Sequence, residues 1–129
     1  MTHPDEELIR HGYEAFGRGD VATVLEVFRD DIVWHVGGRN LLAGGYHGHD
    51  GVVAFFTKLA DLSEGTFKLD VHDITSSDEH VIAIVDLSAQ REGRPWESNG
   101  VHVWHLTDGK VAEFRAVPVD PYLDDEFWS

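Results

Sequence analysis

The chain has 129 residues, with 10 Lys+Arg against 24 Asp+Glu and no cysteine. That length fits one domain, 1–129, able to bury a core without staples, and the missing thiols exclude disulfides and thiolate metal sites. A formal net charge of -14 repels phosphate backbones and anionic lipid surfaces, so neither nucleic acid nor membrane is an expected partner, whereas an uncharged small molecule is.

The opening MTHPDEELIRHG carries acids where a secretory signal needs a basic start and an apolar core. No apolar run approaches the roughly 20 residues of a spanning helix, so the cytoplasm is the expected compartment. From Asp5 to Arg18, Leu8, Ile9, Gly12, Tyr13 and Phe16 recur at helical spacing. Gly17 and Gly19 break that helix, and Asp20 stands at an N-cap before a second one through Val21, Val24, Leu25 and Phe28. Asp31 to Val36 reads as a strand, and GGRNLLAGGYHGHDG as a glycine-rich loop with a short strand at Tyr46. Gly51 to Leu62 makes a third helix. After Gly65 the period changes to two, and four strands follow: Thr66 to Thr75, His80 to Glu92, Trp96 to Leu106 and Lys110 to Val119, joined by the turns SSDE, REGR and TDG. The tail DPYLDDEFWS is expected to dock by Tyr122, Phe127 and Trp128. Three helices followed by an antiparallel meander predict an α+β domain with helices on one face of a curved sheet.

Alternation sorts the strands into faces. Val81, Ala83, Val85, Leu87 and Ala89 form an inner set, as do Gly100, His102, Trp104 and Leu106, and Ala112, Phe114 and Ala116. The small inner residues Ala83, Ala89, Ala112 and Ala116 leave room for a cavity beneath the helices. The outer set Ile82, Ile84, Val101, Val103, Val111 and Val117 would be an exposed apolar patch, so a homodimer through this outer sheet face is expected.

The strings GYEAFGRGD, VFRDDIVWHVGG, GYHGHDGVVAFF and HVWHLTDGKVAEFRAV, in this order and spacing, resemble the nuclear transport factor 2-like superfamily, particularly its SnoaL-like and ketosteroid-isomerase-like members. The resemblance implies a cone-shaped, cystatin-like roll around one apolar pocket. It implies no single chemistry, because such folds host isomerases, cyclases, dehydratases, hydrolases and proteins that only bind. Carried over by position, the isomerase pattern would put its base near Val36, its protonated acid near His102 and its Tyr near Gly12, one residue from Tyr13. Both carboxylates are missing, so steroid isomerisation by that mechanism is not expected. The resemblance to cyclases that pair an Asp with a His near the last strands implies His102 or His105 with Asp120.

His102 is the first candidate, a titratable ring on an otherwise apolar inner face, although a core histidine satisfied by a neighbour would look the same. Asp120, as orienter or base, and Tyr13, as phenol donor, are its candidate helpers; Asp120 could equally cap the turn at Pro121, and Tyr13 could simply pack. Phe16, Trp34, Val36, Phe55, Trp104 and Phe114 are the expected walls. His47 and His49 with Asp50 lack a supporting ligand at helical spacing, so no metal is expected, nor any cofactor. The function class is a pocket enzyme for isomerisation, cyclisation or water addition and loss on an apolar metabolite. A noncatalytic binding or dimerisation module of the same fold is the alternative.

Overall fold

Helix α1 (Pro4–Gly17) begins at His3, whose ring accepts from the Asp5 N–H, and Pro4 in the first turn costs no hydrogen bond there. The computed structural model describes residues 3–129; Met1 and Thr2, where the chain-long domain and the acidic N-terminal stretch start, lie outside the described residues. Asp20 caps α2 (Val21–Glu26) as its position predicts, accepting from Thr23 N at 3.2 Å and Thr23 Oγ1 at 2.7 Å. Periodicity carried this helix to Phe28, but Phe28 already pairs in β1 (Phe28–Val36), so the helix is shorter and the strand longer than expected.

β2 (Gly44–His47) is the short strand at Tyr46, antiparallel to β1 with Trp34 opposite Tyr46. Helix α3 (Gly48–Leu62) follows at once and crosses close above it: a Cβ on Gly51 would lie 3.2 Å from the Tyr46 carbonyl carbon. β3 (Lys68–Ser76), β4 (His80–Arg91), β5 (Arg94–Thr107) and β6 (Lys110–Pro118) then form an antiparallel meander. Two of its hairpins turn on Glu92-Gly93 and Asp108-Gly109, all four residues at positive φ, the backbone that matches strand twist in two-residue loops. The sheet runs β2-β1-β6-β5-β4-β3, with β1 and β6 parallel. Helices cover one face of this curved, unclosed six-stranded sheet, giving the α+β roll expected from the chain order.

The face assignments hold along β4 and β5: Val81, Ala83, Val85, Ala89, His102, Trp104 and Leu106 are buried. On β6 they fail at one place. His105 pairs with Glu113 and Leu106 with Val111, so Ala112 is an extra residue, and this bulge turns Val111 inward to full burial instead of outward. Ala112, expected inside, is half-buried and off the cavity wall. The tail forms a short helix, α4 (Pro121–Phe127). Phe127 and Trp128 are buried against Trp96, at ring-centroid distances of 5.2 and 5.3 Å, but Tyr122 is 85% exposed and docks nothing. Arg91 Nη1 donates to the Phe127 carbonyl at 3.1 Å and the Leu41 N–H to that of Trp128, also at 3.1 Å, holding the tail over the end of the sheet.

Candidate functional site

The space under the helices is a cavity of about 140 Å³, comparable with engineered apolar cavities of about 150 Å³ that take one benzene ring. Its walls include the expected wall residues Phe16, Trp34, Val36, Phe55, Trp104 and Phe114, with Tyr13 and His102 among them. The aromatic rings pack on one another, Trp34 stacked on Phe114 at 3.9 Å and Trp104 tilted against Phe114 at 4.4 Å. Contacts of this kind add to the area they bury and hold the wall in one shape. The Trp34 Nε1–H is buried with no hydrogen-bond partner among the described residues.

The inner polar group is a chain of three side chains from α1 and β5. Trp104 Nε1 donates to the Tyr13 hydroxyl oxygen at 3.0 Å, and that hydroxyl lies 2.7 Å from His102 Nδ1. An indole N–H can only donate, so the phenol oxygen accepts from Trp104. The arrangement that leaves the phenol hydrogen paired has Tyr13 donating to a bare Nδ1. His102 then carries its own hydrogen on Nε2, which has no partner among the described residues. Burial pulls the His102 pKa down to about 3, keeping the ring neutral at working pH. Burial likewise pushes the Tyr13 phenol up, only partly offset by the bond from Trp104. At this end the cavity therefore offers an uncharged donor, not an imidazolium. His105, the alternative to His102, lies on the outer face beside His80.

Asp120, expected as the helper of His102, is elsewhere. It is exposed and caps α4, accepting from the Leu123 N–H at 3.2 Å, and it is not on the cavity wall. The reason is local: Pro121 starts a helix, and the residue before a helical proline takes the capping position. The carboxylate that does reach the cavity is Asp124, one turn further on. Its Oδ1 accepts from Ser98 Oγ at 2.9 Å and from Trp96 Nε1 at 3.2 Å. Desolvation raises its pKa, opposed by these two bonds and assisted by the charges of Asp120 and Asp125. Sequence alternation carried a usable signal for half of this group, since Trp96, Ser98, Gly100 and His102 share one face of β5. It carried none for Asp124, whose orientation depends on how the tail docks.

His49, weighed and set aside as a metal ligand, lies 3.0 Å through Nε2 from the Phe28 carbonyl. Three other residues bring possible ligand atoms within 4.8 Å of one another: Glu79, His80 and His105, at the exposed end of the outer face. None of the three lines the cavity, although the sequence had left His105 open as the alternative to His102.

A sequence profile of the SnoaL-like domain matches residues 9–114. An uncharacterised protein of Mycobacterium tuberculosis is 31% identical over 126 residues, covering 97% of this chain and 96% of that protein. The solved structure of a protein from a soil-derived mobile gene cassette superposes with a TM-score of 0.93 at 33% identity, covering 98% of this chain and 97% of the other. A Mycobacterium tuberculosis protein solved with estradiol hemisuccinate has the same fold, at a TM-score of 0.75 and 19% identity over 89% of this chain and 93% of its own. Solved neighbours also include cystatin-like and nuclear transport factor 2-like folds. With the profile spanning most of the chain and the apolar pocket beneath its helices, this protein belongs to the SnoaL-like domain family.

Proposed function

We propose that the chain binds an apolar, ring-bearing metabolite in the cavity and performs acid/base chemistry on it, of the isomerisation, cyclisation or water addition-and-loss type. The observation that carries this is the relay from Trp104 through Tyr13 to His102, which supports a neutral imidazole with Nε2–H turned to a ligand. A buried neutral donor stabilises charge that develops on a carbonyl oxygen during enolisation without reorganising, while water admitted to the cavity takes the proton that leaves the α carbon. Tyr13 is the positioning residue in this scheme, and Asp120 has no part beyond its cap. The steroid bound by a family-fold neighbour supports an apolar ring system as ligand, while a cavity of about 140 Å³ favours something smaller than four fused rings. The lack of cysteine supports a cytoplasmic setting, and the exposure of Ile84 and Val117, 43% and 48%, supports a homodimer that covers the outer face.

A specific observation favours the noncatalytic alternative: among the described residues His102 has Tyr13 as its hydrogen-bond partner and no carboxylate. Exchange of the methyl hydrogens of acetophenone for deuterium separates the two. Catalysis predicts exchange accelerated by the wild-type protein and lost in His102→Phe. Saturable binding with exchange no faster than in buffer would leave a binding module.

A further inference from the structure

We infer that Asp124 is a second recognition point at the mouth of the cavity, accepting a hydrogen bond from a hydroxyl or protonated amine at the end of the ligand remote from His102. The inference rests on the pocket function proposed above and adds the chemistry of the ligand's outer end. Both protein hydrogen bonds to Asp124 fall on Oδ1, so Oδ2 has none among the described residues, and the side chain lines the cavity beside Trp96, Gly100 and Trp128. Trp96 and Ser98 hold the carboxylate in one orientation, as a built recognition group requires.

Distance then sets ligand length. Ser98 and His102 lie four residues apart on one face of β5, which is about 13 Å along the strand. The side chains and a hydrogen bond at each end shorten what fits between them to about one benzene ring with a ketone and a para substituent. Between the two points Gly100 presents no side chain, so a flat ring can lie on the strand, and the free volume of about 140 Å³ suits one ring with its substituents. The span also separates the roles: a ligand carbonyl held at His102 has its reacting α carbon at the inner end, away from Asp124. Asp124 is therefore an anchoring residue, not the base.

Charge selects the substituent. Asp120 and Asp125 lie near enough to raise the Asp124 carboxyl, so negative charge gathers near Asp124 and disfavours an anionic group there. A neutral or cationic donor is favoured. Because Asp124 is half-buried, a bond to it is worth more than one made in water.

Five aryl ketones test this by tryptophan fluorescence and protein-observed NMR titration of the full chain: acetophenone and its para-hydroxy, para-methoxy, para-aminomethyl and para-carboxylate derivatives. The hydroxy and aminomethyl compounds are expected to bind about tenfold tighter or more than acetophenone, the methoxy compound no better than it, and the carboxylate more weakly. In Asp124→Asn, whose amide oxygen still accepts from Trp96 and Ser98, the N–H that replaces the free acceptor can donate to a hydroxyl or a methoxy oxygen alike, so the advantage of the hydroxy over the methoxy compound should vanish. If the hydroxy and methoxy ketones bind wild type equally while acetophenone itself enters the cavity, the inference is overturned and the pocket function stands. If no ketone perturbs Tyr13, His102 or Trp104, both fail.

Discussion

Lowering the pH from about 7 to about 5 should destabilise this protein through His102 specifically, by an amount that the structure fixes. The ring has a pKa of about 3 when folded and the ordinary 6.5 when the chain is unfolded. The unfolded state therefore binds the proton first. The stability that this ring contributes is complete above pH 6.5 and is lost as pH falls toward about 3. At 1.36 kcal/mol per unit, the loss from this one ring is about 2 kcal/mol by pH 5. Asp124 works in the opposite sense: its folded pKa is raised, so the penalty it carries above its unfolded pKa is relieved as pH falls. Comparing wild type with His102→Gln cancels that term and those of other groups common to both. The glutamine can still accept from the Tyr13 hydroxyl but does not titrate. Urea unfolding at both pH values should give a wild-type loss exceeding the variant's by about 2 kcal/mol, a midpoint shift of roughly 1 M. Equal losses in the two proteins would refute the claim that a buried neutral imidazole sits in the cavity wall.

Asp120→Ala should cost about 1 kcal/mol of stability, the usual worth of an N-cap, while leaving the affinity for uncharged aryl ketones unchanged; thermal unfolding and the same titrations check both, and a loss of affinity for the uncharged ketones would restore Asp120 to the site. Trp104→Phe keeps the ring in the wall but removes the donor to Tyr13, so it should cost about 1 kcal/mol. It should also weaken ketone binding more than methyl or benzyl analogues without a carbonyl, because the phenol is then free to rotate away from Nδ1. Ile84→Lys with Val117→Lys places charge on the outer face; light scattering should show a dimer for wild type and a monomer for the double variant, with circular dichroism unchanged. A wild-type monomer would remove the dimer from the account.

Most of the architecture is legible because helical and strand periods leave different marks, and because the turns carry their own chemistry, as at Asp20 and at Asp108-Gly109. The apolar wall was equally readable: Trp34, Trp104 and Phe114 follow from alternation alone once one face is known to be buried. Three things were not. The bulge at Ala112 inverts the residues before it, and nothing in the pattern VAEFRAV marks where the extra residue falls. The division of Phe28 between helix and strand depends on pairing with β6, a contact remote in sequence. Asp124 is invisible because three nearby aspartates compete for attention in the tail, and only the docking of Phe127 and Trp128 decides which of them turns inward. His102 was found as a polar residue on an apolar face. A histidine in that pattern suggests a proton carrier, whereas its burial and the hydroxyl at 2.7 Å favour the neutral donor proposed above.

The most direct test of that central claim is the tautomer of His102, measured by long-range proton–nitrogen correlation NMR on nitrogen-labelled protein. A bare Nδ1 and a hydrogen-bearing Nε2, unchanged between about pH 7 and 5 and shifted at Nε2 by a bound aryl ketone, is the predicted result. An Nδ1–H tautomer, or an imidazolium appearing near pH 6, would contradict it.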